Sequence, residues 1–265
     1  HLLDRIFSYG EAPGLGIISF GENSRSAAYI KQKILFAEKI GVKVFPMALP
    51  LETTEEGLIE VIQTCNNDPQ MNGVIIQLPL PEHISPTILD YINPRKDVDG
   101  LHSQNLGKLV KGETGFVPAT ARGVLELLNA VNISLEGKHV VIIGRSTLVG
   151  KPLALIFLKE NATVTIAHSK TVNLKCLAQQ ADILCVAMGK PGYIGKEYVS
   201  PGQVVIDVGI TVEKNGDGSK LVGDVLYTEV ERIVSNITPV PGGVGPMTVY
   251  ALFANVCDAY ERQKS

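Results

Sequence analysis

Two side chains that can handle protons, Tyr29 and Lys33, stand four residues apart in a stretch with helical periodicity. This spacing places a phenol and an amine on one side of the predicted helix. Both border the apolar stripe of that helix, so their stems can be buried while their polar ends point into a cleft. A border lysine beside a core tyrosine is also an ordinary structural arrangement, and the pair alone favours that interpretation.

An amide and a carboxylate can complete such a site. Gln77 stands within the apolar run 74–78, which predicts a strand, and an amide buried there must find hydrogen-bond partners. Residues 96–100, after a helical segment at 86–92, carry two acids, of which one is Asp99. An amine, a phenol, an amide and a carboxylate near strand ends can hold a polar heterocycle and move a proton.

A glycine-bearing turn follows the apolar run 140–143. Gly144 ends that run, and Gly150 stands where the next helical pattern begins. Glycines at these positions let the main chain approach a pyrophosphate, whose charge lies at the helix N-terminus. The middle glycine of the GxGxxG fingerprint is absent, so a tight turn with glycines for packing alone stays open as the alternative.

The residues after the next strand indicate which dinucleotide binds. NAD sites usually carry an acid there to bind the ribose 2′-hydroxyl. Here the strand ends in His168, Ser169 and Lys170, with no acid. A hydroxyl and a cation suit a 2′-phosphate, and Arg145 can add a bidentate donor. The sequence therefore favours NADP over NAD, unless Lys170 is only a solvated surface charge.

Three more glycine-rich segments, 189–192, 208–210 and 241–246, end later elements. Ligands of open α/β sheets bind beyond the carboxyl ends of strands, where glycines permit close main-chain contact. Each segment taken alone is equally compatible with ordinary loop chemistry.

Strand-length apolar runs alternate with helical patterns along the whole chain, which predicts mainly parallel sheets covered by helices. We expect two α/β domains, residues 1–121 and a Rossmann-like NAD(P)-binding domain at 122–247. The final helix, 248–265, is expected to pack back on the first domain. Thr53 and Glu56 predict a capping box at one helix start, and Thr248 is expected to cap the final helix.

Composition narrows the class of partner. The net charge of −3 and the scattered Lys and Arg residues favour a small molecule over nucleic acid or a membrane surface. The histidine spacing predicts no metal site. Four cysteines without a CxxC pair are expected to be buried reduced thiols, which suits a cytoplasmic protein. Because His1 falls inside a helical pattern, we expect native residues before it.

Five segments of the chain, in this order, resemble the bifunctional methylenetetrahydrofolate dehydrogenase/methenyltetrahydrofolate cyclohydrolase family. They are residues 26–33, 73–81, 96–100, 144–152 and 239–248. The most specific are Gln-Leu-Pro-Leu-Pro at 77–81 and Pro-Gly-Gly-Val-Gly-Pro-Met-Thr at 241–248. The family often has Pro-Cys-Thr-Pro where residues 118–121 read Pro-Ala-Thr-Ala, which loosens the helix start but removes no catalytic group.

The resemblance implies an enzyme of one-carbon metabolism. Such enzymes oxidise 5,10-methylenetetrahydrofolate with a nicotinamide cofactor, usually NADP, and hydrolyse the methenyl product to 10-formyltetrahydrofolate. It also implies a substrate cleft between the two domains and a homodimer.

The resemblance further implies roles for individual residues. The catalytic residues are Lys33, Tyr29, Gln77 and Asp99. The substrate site shares Tyr29, Gln77 and Asp99 and adds Leu78, Pro241, Gly242 and Gly243. The cofactor-binding residues are Gly144, Arg145, Ser146, Val149, Gly150, Pro152, His168, Ser169, Gly189, Gly209, Ile210 and Thr248. We expect Lys33, bonded to Gln77 and Tyr29 in a largely dry cleft, to have a lowered pKa and to handle the proton of hydration.

Two other functions explain fewer of these residues. An NADP-dependent dehydrogenase of small hydroxy or amino acids would need a carboxylate clamp, yet no Arg accompanies Lys33, and Gln77 with Asp99 stays unexplained. A non-catalytic nucleotide sensor should have lost Lys33 or the Gly144 turn, and both are present.

Overall fold

The computed structural model describes residues 2–21, 24–215 and 218–264 of the chain. The chain divides into two compact units: His1–Ala119 with Val249–Ser265, and Thr120–Thr248. We call them unit 1 and unit 2. The predicted α/β architecture with mainly parallel sheets is confirmed. Among the described residues, no helix is long and apolar enough to cross a membrane.

Unit 1 is built on a three-stranded parallel sheet. In chain order its elements are α1 (Leu2–Phe7), β1 (Gly14–Phe20), α2 (Ser24–Ile40), β2 (Lys43–Leu49), α3 (Glu55–Asn67), β3 (Gly73–Ile76), a 3₁₀ helix (Pro86–Tyr91) and α4 (Ser103–Lys111). The strand order is β2-β1-β3. Every residue of the central strand β1 is buried, as expected for a parallel strand covered on both faces.

Unit 2 contains a five-stranded parallel sheet and a separate antiparallel ribbon. Its elements are α5 (Ala119–Ala130), β4 (His139–Ile143), α6 (Gly150–Lys159), β5 (Thr163–Ala167), α7 (Leu174–Gln179), β6 (Ile183–Val186), a 3₁₀ helix (Lys196–Tyr198), β7 (Val204–Asp207), the ribbon strands β8 (Thr211–Asn215) and β9 (Gly218–Val222), α8 (Tyr227–Val230), β10 (Asn236–Ile237) and α9 (Val244–Lys264). The first residue of α5 and the larger part of α9 belong to unit 1. The strand order is β10-β7-β6-β4-β5.

Successive side chains of β1 point to opposite faces of the sheet, so the core of unit 1 is divided into two clusters, one on each face. Leu15 and Ile17 pack in one cluster with Phe253 of α9. Ile18 lies in the other cluster, with Leu58 of α3. The final helix packs an apolar face into this core. All four of its residues are buried: Val249, Leu252, Phe253 and Val256.

Both predicted helix caps are wrong in detail. The side chain of Thr54, not Thr53, caps α3 by accepting a hydrogen bond from Gly57 N at 3.2 Å. The hydroxyl of Thr53 instead donates to Pro50 O at 2.8 Å. Thr248 does not cap α9, because that helix begins four residues earlier and the Thr248 hydroxyl donates back to Val244 O. Pro246 lies in the first turn of α9. A proline is tolerated there because the N–H groups of a first helical turn have no partner within the helix.

The expectation of four buried thiols is also wrong at one position. Cys65, Cys185 and Cys257 are buried, whereas Cys176 is exposed. It lies on α7, a six-residue helix that buries only Ala178, so most of its side chains face solvent.

Candidate functional site

A lysine and an amide form the centre of the site in unit 1. The Lys33 Nζ on α2 donates a hydrogen bond to Gln77 Oε1 at 2.9 Å. Gln77 follows β3, and its main-chain N–H donates to Ile18 O, which extends the ladder by one residue. Its Nε2 donates to Leu78 O at 3.0 Å. Because the amide nitrogen is committed to Leu78, the amide oxygen faces the ammonium group.

Desolvation and one carboxylate determine the electrostatics of Lys33. Burial lowers the pKa of Lys33 from its ordinary value, and the negative charge of Asp99 opposes that shift. Burial raises the pKa of Asp99 in turn, and Lys33 opposes it. Tyr29 lies one turn before Lys33 on α2, and burial raises its pKa too. A desolvated amine that interacts with a carboxyl group is suited to accept and return a proton.

The two acids of the 96–100 loop have different tasks. The Asp97 carboxylate accepts hydrogen bonds from Leu101 N, His102 N and Asn105 Nδ2 at 2.8–3.2 Å. These bonds commit Asp97 to holding the loop and the start of α4. Asp99 interacts electrostatically with Lys33 and is the acid available to the site.

Two glycines determine the shape of the turn after β4 in unit 2. Gly144 has φ +143°, and a Cβ there would overlap the Ala187 carbonyl. A Cβ on Gly150 would overlap the Gly144 carbonyl. The N-cap residue of α6, Val149, makes no side-chain cap bond, and Lys151 N and Leu153 N donate to main-chain oxygens, so the α6 N-terminus attracts an anion mainly through the helix dipole. This main-chain cradle fits a dinucleotide pyrophosphate.

The sheet order of unit 2 places this turn at a switch point. β5 and β6 pair with opposite sides of β4, so the chain reverses direction across the sheet between them. Such a point binds ligands at the carboxyl ends of the strands. Gly144, which follows β4, lies against Ala187, which follows β6, at this switch point.

The predicted cofactor residues of unit 2 follow the carboxyl ends of its strands, except Thr248, which lies within α9. Arg145 and Ser146 follow β4, Ser169 follows β5, and all three side chains are exposed. The others at these ends are Gly144, Val149, Gly150 and Pro152 after β4, His168 after β5, Gly189 after β6, and Gly209 and Ile210 after β7. Because β4 and β5 are neighbours, Arg145 and Ser169 leave adjacent strand ends.

The predicted catalytic and substrate residues divide between the units. Lys33, Gln77 and Asp99 come together in unit 1. The others, Pro241, Gly242 and Gly243, follow β10 in unit 2. There Gly242 has φ +109°, and Gly243 N donates to Pro239 O at 2.9 Å. The peptide bonds before Pro79 and Pro241 are both cis.

Two buried acids in unit 2 were not among the predicted residues, Asp207 and Asp224. Asp207 ends β7 and accepts hydrogen bonds from Gly209 N, Asp224 N and Val225 N at 2.9–3.1 Å. Burial raises the pKa of Asp207 to about 6, against the effect of those bonds. A charged residue in an apolar strand was a usable sequence signal for Asp207. Asp224 carried none, because its contacts are tertiary.

Asp207 predicts a specific pH dependence of stability. A carboxyl whose folded-state pKa exceeds its unfolded value stabilises the fold most below the unfolded pKa, near 3.8, and loses this contribution as pH rises through about 6. The side chain is only 3% exposed, so screening is small. The free energy of unfolding of the wild type, minus that of Asp207→Asn, should fall by about 2 kcal/mol between pH 4 and pH 7. Denaturant titrations of both proteins at four pH values measure this difference in unfolding free energy. A difference that does not change with pH would contradict the prediction.

Comparison with known proteins gives the family. Residues 3–99 match the catalytic domain of the tetrahydrofolate dehydrogenase/cyclohydrolase family, and residues 118–264 match its NAD(P)-binding domain. The chain is 46% identical to the bifunctional protein FolD of Listeria innocua over 254 residues, which cover 96% of this chain and 88% of the relative. It is 47% identical to FolD of Ruminiclostridium cellulolyticum, over 97% of this chain and 90% of the relative.

Solved structures of this family have the same fold as this chain. A crystal structure of FolD from Campylobacter jejuni has a TM-score of 0.94 and 41% identity, covering 99% of this chain and 94% of that one. The methylenetetrahydrofolate dehydrogenase-cyclohydrolase of Trypanosoma brucei, solved with NADP and an inhibitor, has a TM-score of 0.93 and 35% identity, covering 99% and 93%. Among the described residues, no group of three or more His, Cys, Asp or Glu side chains could hold a metal ion.

Proposed function

Because the chain belongs to the tetrahydrofolate dehydrogenase/cyclohydrolase family, we propose that it catalyses both reactions of the bifunctional members. It oxidises 5,10-methylenetetrahydrofolate with NADP and hydrolyses the methenyl product to 10-formyltetrahydrofolate. The observation that carries this proposal is the hydrogen bond from the desolvated Lys33 amine to Gln77, with Asp99 close enough to interact.

The dehydrogenase step needs positioning more than proton transfer. Bound NADP would supply the nicotinamide that accepts a hydride from the bridging methylene. The lone pair of the folate nitrogen assists the loss of this hydride. The chain binds the pyrophosphate at the α6 N-terminus and the 2′-phosphate with Arg145 and Ser169. Asp99, Gln77 and Leu78 hold the folate, and Tyr29 excludes water beside it. Fixing the reacting atoms in contact accounts for much of the rate enhancement.

The cyclohydrolase step needs proton transfer, which we assign to Lys33. Its neutral amine accepts a proton as water adds to the methenyl carbon of the folate cation. The bond from that carbon to N5 then breaks, N5 takes a proton from the Lys33 ammonium group, and the amine so regenerated accepts the hydroxyl proton as the formyl group forms and passes it to water. Burial favours the neutral amine, and the Gln77 oxygen holds it in place through both transfers.

Selectivity for NADP provides a prediction on Arg145. Arg145→Ala should raise the Kd for NADP about 10- to 100-fold, the effect of losing one charged hydrogen-bonding partner, and leave the Kd for NAD nearly unchanged. Calorimetric titration with each cofactor measures both constants. Lys159→Ala, at the far exposed end of α6, is the matched control. Equal losses for NADP and NAD would contradict a 2′-phosphate contact, and a loss with Lys170→Ala instead would move that contact to Lys170.

Two further features belong to this proposal. We assign a homodimer, which sedimentation of the purified chain measures directly. We also assign a cytoplasmic location, which the four free cysteines support.

The decisive test is to incubate the protein with 5,10-methylenetetrahydrofolate and either NADP or NAD, following reduced cofactor and methenyl product separately. Reduction of NADP without methenyl accumulation is the expected result. Accumulating methenyl product would mean a dehydrogenase without cyclohydrolase activity. No reduction with either cofactor would contradict the proposal and favour another dehydrogenase.

A further inference from the structure

A buried carboxylate in unit 2 links two of the strand ends at which the cofactor residues stand. Asp224 follows β9 and is fully buried. Its Oδ2 accepts hydrogen bonds from Met188 N at 2.6 Å and from Gly189 N at 2.8 Å. Both donors belong to the segment that follows β6.

The same carboxylate packs against the segment that follows β7. A Cβ on Gly209 would overlap the carboxyl group of Asp224, so only glycine lets the two segments approach this closely. The main chain of Asp224 is fixed in turn, because its N–H donates to Asp207 Oδ1 at 3.1 Å. Gly209 N donates to the same oxygen at 3.0 Å. Asp207 therefore holds Gly209 and Asp224 together, and Asp224 holds Gly189.

The other oxygen of Asp224 differs from the buried polar side-chain atoms around it. Among the described residues, Oδ1 is the only buried side-chain nitrogen or oxygen without a hydrogen-bond partner. A buried acceptor without a partner lowers the stability of a fold. This destabilising acceptor lies next to two turns at the carboxyl edge of the sheet. Open α/β sheets bind their ligands at that edge.

We propose that Asp224 is a positioning residue for the dinucleotide, which fixes the main chain at Met188–Gly189 and at Gly209 in the shape that receives the nicotinamide half of NADP. It acts through these turns and does not touch the cofactor. This inference rests on the proposed function, because it assumes NADP as the ligand of unit 2.

The test compares three variants of the whole chain. Asp224→Ala removes both accepted hydrogen bonds, whereas Asp224→Asn keeps an oxygen that can accept them. Asp182→Ala is the matched control, because Asp182 also accepts from a main-chain N–H, that of His139, but at the amino ends of the strands. The measurements are the Kd for NADP, the KM for NADP in the dehydrogenase reaction, and the hydrolysis of supplied methenyltetrahydrofolate, which consumes no cofactor.

Asp224→Ala should raise the Kd and the KM for NADP at least tenfold and keep the rate of methenyl hydrolysis within twofold. Asp224→Asn should recover most of the affinity, and Asp182→Ala should bind NADP as the wild type does. Unchanged affinity in Asp224→Ala overturns the inference, as does a parallel loss of both activities in Asp224→Asn. If Asp224→Ala does not fold, Asp224→Ser takes its place, because its shorter side chain also removes the carboxylate that accepts from Met188 N and Gly189 N, and wild-type affinity in Asp224→Ser overturns the inference. A wild type that does not bind NADP contradicts the proposed function instead.

Discussion

Replacing Lys33 by methionine should lower the rate of methenyl hydrolysis about 10²- to 10⁴-fold, the usual contribution of a general acid or base. The dehydrogenase rate should fall much less, because hydride transfer needs no proton from this lysine. Methionine keeps the length and apolar character of the stem on α2 but removes the amine that donates to Gln77 Oε1. The two rates are measured separately, with methylenetetrahydrofolate and NADP for one and with supplied methenyltetrahydrofolate for the other.

Lys31→Met provides the control for this experiment. Lys31 lies on the same helix, two residues earlier, and its side chain is exposed. Both activities should stay at the wild-type level in this variant. Equal retention of the two activities in Lys33→Met would remove Lys33 from the mechanism, and equal loss of both would indicate a role in folate binding instead.

Gly144→Ala should weaken NADP binding at least tenfold and lower the midpoint of thermal unfolding. The added Cβ overlaps the Ala187 carbonyl, and φ +143° is a backbone conformation that alanine rarely adopts. Strain and overpacking each destabilise by about 1–3 kcal/mol, which together lowers the Tm by roughly 5–15 °C in a domain of this size. Moving the strand end away from β6 also opens the cradle for the pyrophosphate. Calorimetric titration with NADP and a thermal melt measure the two effects.

Gly107→Ala is the matched control, because this glycine lies within α4 with nothing within 4 Å of an added Cβ. It should leave NADP binding unchanged and stabilise slightly, by about 0.4–1 kcal/mol, through a lower entropy of the unfolded chain. Normal cofactor affinity in Gly144→Ala would refute the assignment of this turn to the pyrophosphate.

Local sequence pattern determined where helices and strands of this protein lie and which family it resembles. A helical period that Gly41 ends predicts α2 at Ser24–Ile40, and the apolar run after it predicts β2 at Lys43–Leu49, because both signals act within a few residues. The family resemblance carried by the specific segments is confirmed by the matches over residues 3–99 and 118–264. The pattern also showed that Gln77, an amide next to an apolar run, needed partners.

Only the tertiary structure decided which groups meet. The partner of Gln77 is 44 residues away in the chain, and the parallel sheet with its covering helix brings the two together. The residue pattern alone did not separate Asp97 from Asp99, although the family resemblance pointed to Asp99. The structure does, because main-chain N–H groups and Asn105 occupy Asp97. Asp224 had no local signal at all, since its donors at residues 188 and 189 lie 36 and 35 positions away. Periodicity reports which face of an element is buried, whereas hydrogen-bond partners depend on how separate elements pack.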